Sequence, residues 1–239
     1  MPCFKNKIRY KRPDKLSLHT ILIMANILFI DTAAQHTHVA IGHRENGISE
    51  LVNTDPNQQA ASLNEMIARV CDTAQLSLKD IDAVAVDAGP GSYTGLRVGL
   101  GVAKGICFAL DKPLMLFSKL ALIADAKNTA GELLVVLKAR TGEGFAMATQ
   151  KETTLLPAQH IFYDTFDFHI YATGILLTDD SALLERFPEA TILENHLLDM
   201  HSWNALAQKR WEEQAFDDLA YAEPFYLKAA FTTAAKNKL

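Results

Sequence analysis

A glycine-rich turn is the part of this 239-residue sequence best suited to hold a ligand. The run Gly89-Pro-Gly-Ser-Tyr-Thr-Gly95 follows a short apolar stretch and precedes a long helical pattern, so the chain passes there from a strand into a helix. Glycine permits close backbone approach, and free amides at a helix N-terminus bind anions such as phosphate. The candidate anion contacts, including two residues at the end of an earlier strand, are Asp31, Thr32, Gly89, Gly91, Ser92, Thr94 and Gly95.

A purely structural interpretation of the same turn is also consistent with its residues. The glycines would permit a tight turn, and Ser92 or Thr94 would cap the first amides of the helix. The turn lacks the Gly-Lys-Ser/Thr ending of a Walker A loop, and no βαβ unit with an acidic ribose ligand at the right distance follows, as a dinucleotide-binding fingerprint requires. Asp31 and Thr32 suit a phosphate or a magnesium ion, but such a pair is more often a turn or a cap. Both interpretations stay open at this point.

No complete catalytic or metal-binding constellation is visible in the sequence. It contains no HExxH, HxxxH or Gly-x-Ser-x-Gly motif, and Ser92 has no evident base to activate it. His36 and His38 alternate along a predicted strand, but no third ligand lies at a recognisable spacing. The three cysteines are widely separated, which indicates neither a disulfide framework nor a zinc site. We therefore predict no catalytic residue and no resident metal, and the cysteine usage favours a reducing compartment.

The helix after the turn predicts a surface for another helix. Between Thr94 and Leu110 only Arg97 and Lys104 carry charge, and apolar residues surround the axis, so this helix must be covered nearly all round. Its two basic residues and two glycines share one face, which would let a second helix approach closely. The residues expected at a partner interface are Arg97, Gly101, Lys104 and Gly105, with Met66, Ile67 and Val70 of the preceding helix. Burial of the helix within this chain alone is the alternative.

Alternating strand and helix patterns predict an α/β protein. The predicted strands cover residues 27–32, 37–43, 48–53, 81–86, 114–117, 133–137 and 145–150. The predicted helices cover residues 63–74, 94–110, 118–126 and about 202–216. The first three strands form a meander, and an amphipathic helix separates them from the strand that enters the glycine-rich turn. The glycine-rich turn is therefore placed by a buried strand on one side and an apolar helix on the other.

Residues 1–24 form a basic N-terminal extension or a start-site artefact. They precede an apolar run that Asn26 interrupts and Asp31 ends, so the run is too short to span a bilayer and predicts a strand, not a signal peptide. Residues 1–23 hold six of the 23 lysines and arginines and one of the 28 acidic residues, so without them the net charge changes from −5 to −10. A body that acidic is poorly suited to gripping a phosphate backbone unaided.

Two spaced motifs resemble the TsaB (YeaZ) family. They are Ile27-Leu-Phe-Ile-Asp-Thr-Ala33 and Gly89-Pro-Gly-Ser-Tyr-Thr-Gly-Leu-Arg-Val-Gly99, and weaker matches are Ala139-Arg-Thr-Gly-Glu143 and Pro224-Phe-Tyr-Leu-Lys228. The resemblance covers about residues 25–126 well. It implies an actin-like, ribonuclease H-like fold of the ASKHA superfamily, with two lobes of which the second is reduced. The first lobe would span residues 25–126, with about 221–239 returning to it, and the second residues 127–220.

The resemblance also implies a role. Members of the family are subunits of the bacterial machinery that makes N6-threonylcarbamoyladenosine in tRNA, where they pair with a paralogous TsaD transferase and a TsaE ATPase joins. It implies that the chain is not itself the transferase. With the cysteine usage and the acidic body, we expect a non-catalytic cytoplasmic subunit without membrane contact that meets tRNA only indirectly. The glycine face of the helix is a candidate contact for a homodimer when the partner is absent. ATP or ADP with Mg²⁺ would belong only to the assembled complex.

Some residues depart from the pattern of the family and its paralogue. The metal-binding histidine pair of the paralogue has no counterpart, since residues 57–66 contain no histidine. Lys138 stands where family members usually have an aspartate, and the later Gly-x-Gly pattern is replaced around Gly174. These departures weaken the expectation of a nucleotide contact from the second lobe.

Two enzymatic alternatives follow from the same superfamily. A small ASKHA-type ATPase or kinase would use Asp31, Thr32 and the glycine-rich turn on phosphates. A glycoprotease-like hydrolase is disfavoured, because the chain lacks the metal ligands and an activated nucleophile. Nucleotide turnover by the isolated protein would separate the ATPase from a non-catalytic subunit.

A chain that begins at Met24 is expected to unfold at the same temperature as the full chain. Met24 opens directly onto the first predicted strand, and the preceding segment has no apolar periodicity that would bury a face. Thermal unfolding followed by circular dichroism compares the two chains. A clear fall in the melting temperature would show that the basic segment packs on the body.

Overall fold

The computed structural model describes residues 24–34, 36–43, 47–55, 59–127, 129–171, 174–193 and 198–228. The basic N-terminal segment and most of the turn predicted between the second and third strands lie outside these ranges. Within them the chain forms two five-stranded sheets, each with helices packed against it. None of the helices in the ranges given is both long and apolar enough to cross a membrane.

The first sheet has the strand order β3-β2-β1-β4-β5. Its strands are β1 (Ile27–Asp31), β2 (Thr37–Gly42), β3 (Ile48–Asn53), β4 (Ala83–Asp87) and β5 (Leu114–Phe117). The first three form the predicted antiparallel meander, and β4 and β5 run parallel to β1. Parallel neighbours need crossover helices, here α1 (Gln59–Ala74) and α2 (Tyr93–Leu110).

Both faces of the first sheet are covered, which explains why β1 and β4 are apolar until their last residues. One face packs against α1 and α2, and the other packs against α5 (Met200–Glu212). The exceptions to apolar composition, Asp31 and Asp87, lie at the carboxyl ends of these two parallel neighbours. A buried carboxylate at such a position needs a partner.

The second sheet has the order β10-β9-β6-β7-β8. Its strands are β6 (Glu132–Arg140), β7 (Glu143–Gln150), β8 (Thr153–Phe162), β9 (Ile175–Thr178) and β10 (Thr191–Ile192). It repeats the topology of the first sheet, since β6, β7 and β8 form a meander and β9 and β10 continue parallel to β6. The α-helix described in its crossovers, α4 (Ser181–Arg186), has six residues, against 16 and 18 for α1 and α2.

Two sheets of one topology, the second with shortened connections, are the actin-like two-lobed fold that the sequence predicts. Helix α3 (Lys119–Lys127) joins the lobes, because Leu122 enters the core of the first and Leu120 that of the second. The predicted elements of the first lobe are present with small shifts at their ends. The sequence did not indicate β8, β9, β10 or α4.

Helix α5 corrects the expected lobe boundary, because it packs on the first sheet. Trp203 meets the rings of Phe29 and Phe117 edge-on at centroid distances of 5.1 and 5.9 Å. The Gln208 side chain accepts from the amide of Ala25 and donates to its carbonyl, both at 2.8 Å. The second lobe therefore ends before Leu198 rather than at residue 220. The helix also ends earlier than the predicted residue 216.

Replacing Trp203 with alanine is expected to cost about 3–5 kcal/mol of the free energy of unfolding, because it removes a fully buried ring from the core of the first lobe. Urea unfolding followed by circular dichroism measures the loss. Trp211, on the same helix but only partly buried, provides the control, and Trp211→Ala is expected to cost less. Equal losses for both variants would contradict the assignment of α5 to this core.

Candidate functional site

Backbone amides of the glycine-rich turn are already paired within the chain. The amide of Gly89, which has φ +110°, donates to Asp87 Oδ1 at 2.8 Å. The amide of Ser92 donates to the carbonyl of Ala33 at 2.7 Å, and the amide of Gly95 donates to Ser92 Oγ at 3.2 Å. Ser92 is thus the N-cap of α2. An anion at the predicted position would have to displace these acceptors.

Gly91, Gly95 and Gly99 allow the start of α2 to approach the turn after β1 closely. A Cβ at Gly91 would overlap the carbonyl of Ala33, and a Cβ at Gly95 would overlap the carbonyl of Thr32. Gly99, one turn further along the helix, faces the Thr32 hydroxyl, which itself donates to the carbonyl of Gly95 at 2.7 Å. Thr32 therefore contacts a helix backbone rather than open space.

A buried ion cluster lies at the carboxyl ends of the parallel strands. Lys119, the first residue of α3, is 3% exposed, and its Nζ lies 2.9 Å from Asp31 Oδ2 and 3.3 Å from Asp87 Oδ2. Both aspartates are buried as well. Asp31 is a candidate residue of the sequence, but Asp87 and Lys119 are not, because Asp87 only follows the predicted strand 81–86 and Lys119 lies in the predicted helix 118–126 without a local signal.

The charges in the cluster are strongly coupled. Burial by itself raises the pKa of Asp31 and is the largest single effect, but the attraction of Lys119, the interaction with His36 and the hydrogen bond from the Ala33 amide together outweigh it and hold that pKa well below its ordinary value. Burial raises the pKa of Asp87, and the negative charge of Asp31 adds to the rise that Lys119 only partly offsets. Asp31 is therefore the carboxylate that pairs with the ammonium, and Asp87 is the one that takes a proton more readily.

His36, just before β2, and His38, within β2, contact different carboxylates. His36 Nε2 lies 3.6 Å from Asp31 Oδ2, at the edge of the ion cluster, whereas His38 Nε2 is 2.9 Å from Glu50 Oε2 on β3. Within the part of the chain that the structure describes, no group of three or more His, Cys, Asp or Glu side chains is arranged to hold a metal ion.

The outward face of α2 carries the four residues that the sequence analysis assigned to it. Gly101 and Gly105 are exposed, and a Cβ added at either position meets nothing within 4 Å. Phe108, one turn beyond Lys104, is 83% exposed. We call the surface formed by Gly101, Gly105 and Phe108 the glycine strip.

The basic side chains beside the glycine strip hold the C-terminal segment, residues 217–228, against α2. The Arg97 guanidinium lies 4.0 Å from the centre of the Tyr93 ring, and its Nε donates to the hydroxyl of Tyr226 at 2.9 Å. Lys104 Nζ donates to the carbonyls of Ala220 and Ala222 at 3.3 and 3.2 Å. The C-terminal segment therefore forms one border of the strip. Its return to the first lobe was expected from the sequence, but its contact with α2 was not.

The assignment of Met66, Ile67 and Val70 to the partner interface is corrected by their burial. All three lie in the core between α1 and the first sheet, and the most exposed of them, Met66, is 4% exposed. Their helical spacing marked an apolar face correctly, but that face is covered by this chain's own sheet. The outward side of α1 instead carries Glu65 and Arg69.

Two weaker motifs from the sequence analysis meet where the C-terminal segment contacts the second lobe. Glu143 at the start of β7 is ion-paired with Lys228 of the C-terminal segment, and its Oε2 lies 2.8 Å from His160 Nε2. The amide of Phe225 donates to the carbonyl of Ala88, beside the glycine-rich turn, at 2.8 Å. The C-terminal segment thus links the turn of the first lobe to the hairpin of the second.

Lys138, the residue that departs from the family pattern, has a partner in the second lobe. Its Nζ lies 3.0 Å from Asp180 Oδ1, and the hydroxyl of Tyr163 donates to Asp180 Oδ2 at 3.0 Å. Asp180 also caps α4. The carboxyl end of the second sheet therefore carries a lysine–aspartate pair, as the first does.

Comparisons with known proteins agree with this geometry. A family model described as TsaD, tRNA N6-adenosine threonylcarbamoyltransferase, matches residues 56–226. The tRNA threonylcarbamoyladenosine biosynthesis protein TsaB of Escherichia coli is 32% identical over 129 residues, which are 53% of this chain and 55% of that protein. The chain belongs to the TsaB (YeaZ) family. The chain spans about half the length of the curated relatives it matches, including TsaB of Bacillus subtilis at 27% identity.

Solved structures of the family extend the likeness to both lobes. YeaZ from Pseudomonas aeruginosa superimposes with a TM-score of 0.67 at 25% identity, over 85% of this chain and 100% of that one. A second Pseudomonas aeruginosa structure, of an uncharacterized protein with similarity to peptidase YeaZ, has a TM-score of 0.72 at 25% identity and covers 86% of this chain. The family and the fold predicted from the sequence motifs are thereby confirmed.

Alanine at Gly95 and at Gly101 is expected to have opposite effects on the free energy of unfolding. Gly95→Ala drives a Cβ into the carbonyl of Thr32, and such overpacking costs about 1–3 kcal/mol or more. Gly101→Ala enters open space and improves helix propensity by up to about 1 kcal/mol. Chemical unfolding of both variants measures the difference. Equal stabilities would mean that α2 does not sit on the turn after β1 as described.

Proposed function

We propose that this chain is a non-catalytic subunit of the bacterial machinery that forms N6-threonylcarbamoyladenosine in tRNA, and that it binds and supports a TsaD-like transferase subunit. The observation that carries the proposal is the glycine strip of α2, an exposed helix face without side chains at its centre and with an exposed phenylalanine at its end. The names of its curated relatives support the pathway.

The glycine strip suits a partner helix for a steric reason. Helices pack with axes about 8–10 Å apart, and small residues at the crossing allow the near end of that range. Gly101 and Gly105 are one turn apart on the same side of α2, so a helix crossing there would contact the backbone directly. Phe108 would be buried by the same crossing, which removes a large apolar side chain from water.

Much of the charge beside the glycine strip is used inside the chain. Arg97 and Lys104 hold the C-terminal segment, so the proposed interface depends on shape and apolar contact more than on a basic patch. Tyr93, Arg97 and Tyr226 form an aromatic and guanidinium cluster at one end of the strip, and tyrosine and arginine are enriched among interface hot spots. The C-terminal segment belongs to this interface in the proposal.

The ATPase or kinase alternative is less well supported by the glycine-rich turn. Amides at Gly89, Ser92 and Gly95 already have acceptors within the chain, and Asp31 is paired with Lys119.

In the proposal, a TsaE-like ATPase and ATP or ADP with Mg²⁺ belong to the assembled complex in the cytoplasm. The partner makes the contact with tRNA, and the glycine strip closes on a second copy when no partner is present.

Co-purification tests the proposal directly. The tagged chain is recovered from its own cells, bound proteins are identified by mass spectrometry, and N6-threonylcarbamoyladenosine is quantified in tRNA after depletion of the chain. The proposal requires recovery of a TsaD-like protein and loss of the modified nucleoside. Normal levels of the nucleoside after depletion would reject it. ATP hydrolysis by the purified chain alone that disappears on Asp31→Ala would favour the ATPase.

Leucine at Gly101 is expected to weaken binding to the TsaD-like partner by about 2 kcal/mol or more, since it separates the two helix axes at the centre of the contact. The fold is expected to survive, because the space beside Gly101 is open. Calorimetric titration with the purified partner measures the change in binding, and circular dichroism checks the fold.

Gly131→Leu is the matched control, because it adds the same side chain at an exposed glycine of the second lobe with almost nothing near its Cβ. It is expected to bind the partner normally. A folded Gly101→Leu variant that binds as tightly as the control would place the interface elsewhere on the molecule.

A further inference from the structure

The space outside the carboxyl ends of β1, β4 and β5, called the crevice below, is filled by buried side chains but has the position and the donor groups of a ligand site. Open α/β sheets bind ligands outside the carboxyl ends of their parallel strands. Here this position holds the carboxylates of Asp31 and Asp87, and carboxylate oxygens are the donors that divalent cations such as Mg²⁺ prefer. His36 Nε2, in a residue that is 6% exposed, lies 3.6 Å from Asp31 Oδ2 and has no hydrogen-bond partner among the described residues.

The residues present do not fit a divalent cation, because the ammonium of Lys119 occupies the position between the two aspartates. Mg²⁺ requires near-octahedral oxygen ligands at about 2.0–2.1 Å. The ammonium of Lys119 lies 2.9 Å from the Asp31 oxygen and 3.3 Å from the Asp87 oxygen that a bridging cation would use. An ammonium and a divalent cation cannot share this space, for reasons of both volume and charge repulsion.

Lys119 is held in this position from its backbone. Its amide donates to the carbonyl of Gly89 at 2.8 Å, and the next residue, Leu120, is fully buried in the core of the second lobe. The side chain therefore starts from a fixed point between the lobes. It could leave the aspartates only by leaving the buried charge of Asp31 without a counter-charge, which is strongly unfavourable.

We propose that Lys119 is a built-in replacement for a divalent cation: it closes the crevice at the ends of β1 and β4 to metal ions and to metal-bound phosphates, and loss of its ammonium turns Asp31 and Asp87 into a divalent-cation site. The proposal does not depend on the role in tRNA modification.

Manganese binding tests the proposal in the full-length protein. Free Mn²⁺ is followed by electron paramagnetic resonance, and the melting temperature is compared in MnCl₂ and in NaCl of equal ionic strength. The native protein is expected to take up no Mn²⁺ and to melt at the same temperature in both salts. Lys119→Ala is expected to melt lower in NaCl, to bind Mn²⁺, and to regain part of the lost melting temperature in MnCl₂.

Three further variants make the result specific. Lys127→Ala removes an exposed lysine from the same helix and is expected to behave as the native protein. Lys119→Ala combined with Asp31→Asn is expected to lose Mn²⁺ uptake, because it removes a ligand. Lys119→Gln keeps most of the side chain and its hydrogen-bonding atoms, so it reports on the charge if the alanine variant does not fold.

Either of two results would overturn the proposal. One is uptake of Mn²⁺ by the native protein that is lost on Asp31→Asn, because Lys119 would then not close the crevice. The other is the absence of uptake by a Lys119 variant that circular dichroism reports as folded, because the two carboxylates would then not form a cation site.

Discussion

Backbone contact between α2 and the turn after β1 is the constraint on which the first lobe depends. The positions that face this turn are glycines, which have no Cβ, so the helix can pack directly against Thr32 and Ala33. They are Gly91, Gly95 and Gly99. The contact places the first half of α2 over the end of the parallel strands, and the glycines at positions 101 and 105 then face outward. Helix α2 therefore has a closely packed inner face, which carries Gly95 and Gly99, and an exposed outer face, which carries Gly101 and Gly105.

The same contact determines which charges are buried. With α2 on the turn after β1, Asp31 and Asp87 are closed off from water, and the negative charge of Asp31 has to be balanced from within the chain. Lys119 provides this balance from the start of α3, the helix that touches both lobes. The ion cluster therefore lies where the two lobes meet, beside the C-terminal segment that connects the glycine-rich turn to Glu143.

Sequence patterns predicted the first lobe better than the second, and particular strands explain why. β1 and β4 are short apolar runs ended by turn residues, which is a strong local signal. β8 contains Pro157 and pairs with β7 through register shifts, and a proline inside a run argues against a strand unless it lies at an edge. β8 is an edge strand, but only the assembled sheet reveals that.

The sequence by itself determined the family, the glycine-rich turn and the apolar faces of the helices, because these depend on residue types at short spacing. Tertiary structure alone decided which apolar face is core, so Met66 proved to be buried while Gly101 proved to be exposed. It also joined Asp31 to Lys119 across 88 residues and Glu143 to Lys228 across 85. Such pairs carry no local signal, because electrostatic attraction between side chains depends on their distance in space and not on their separation along the chain.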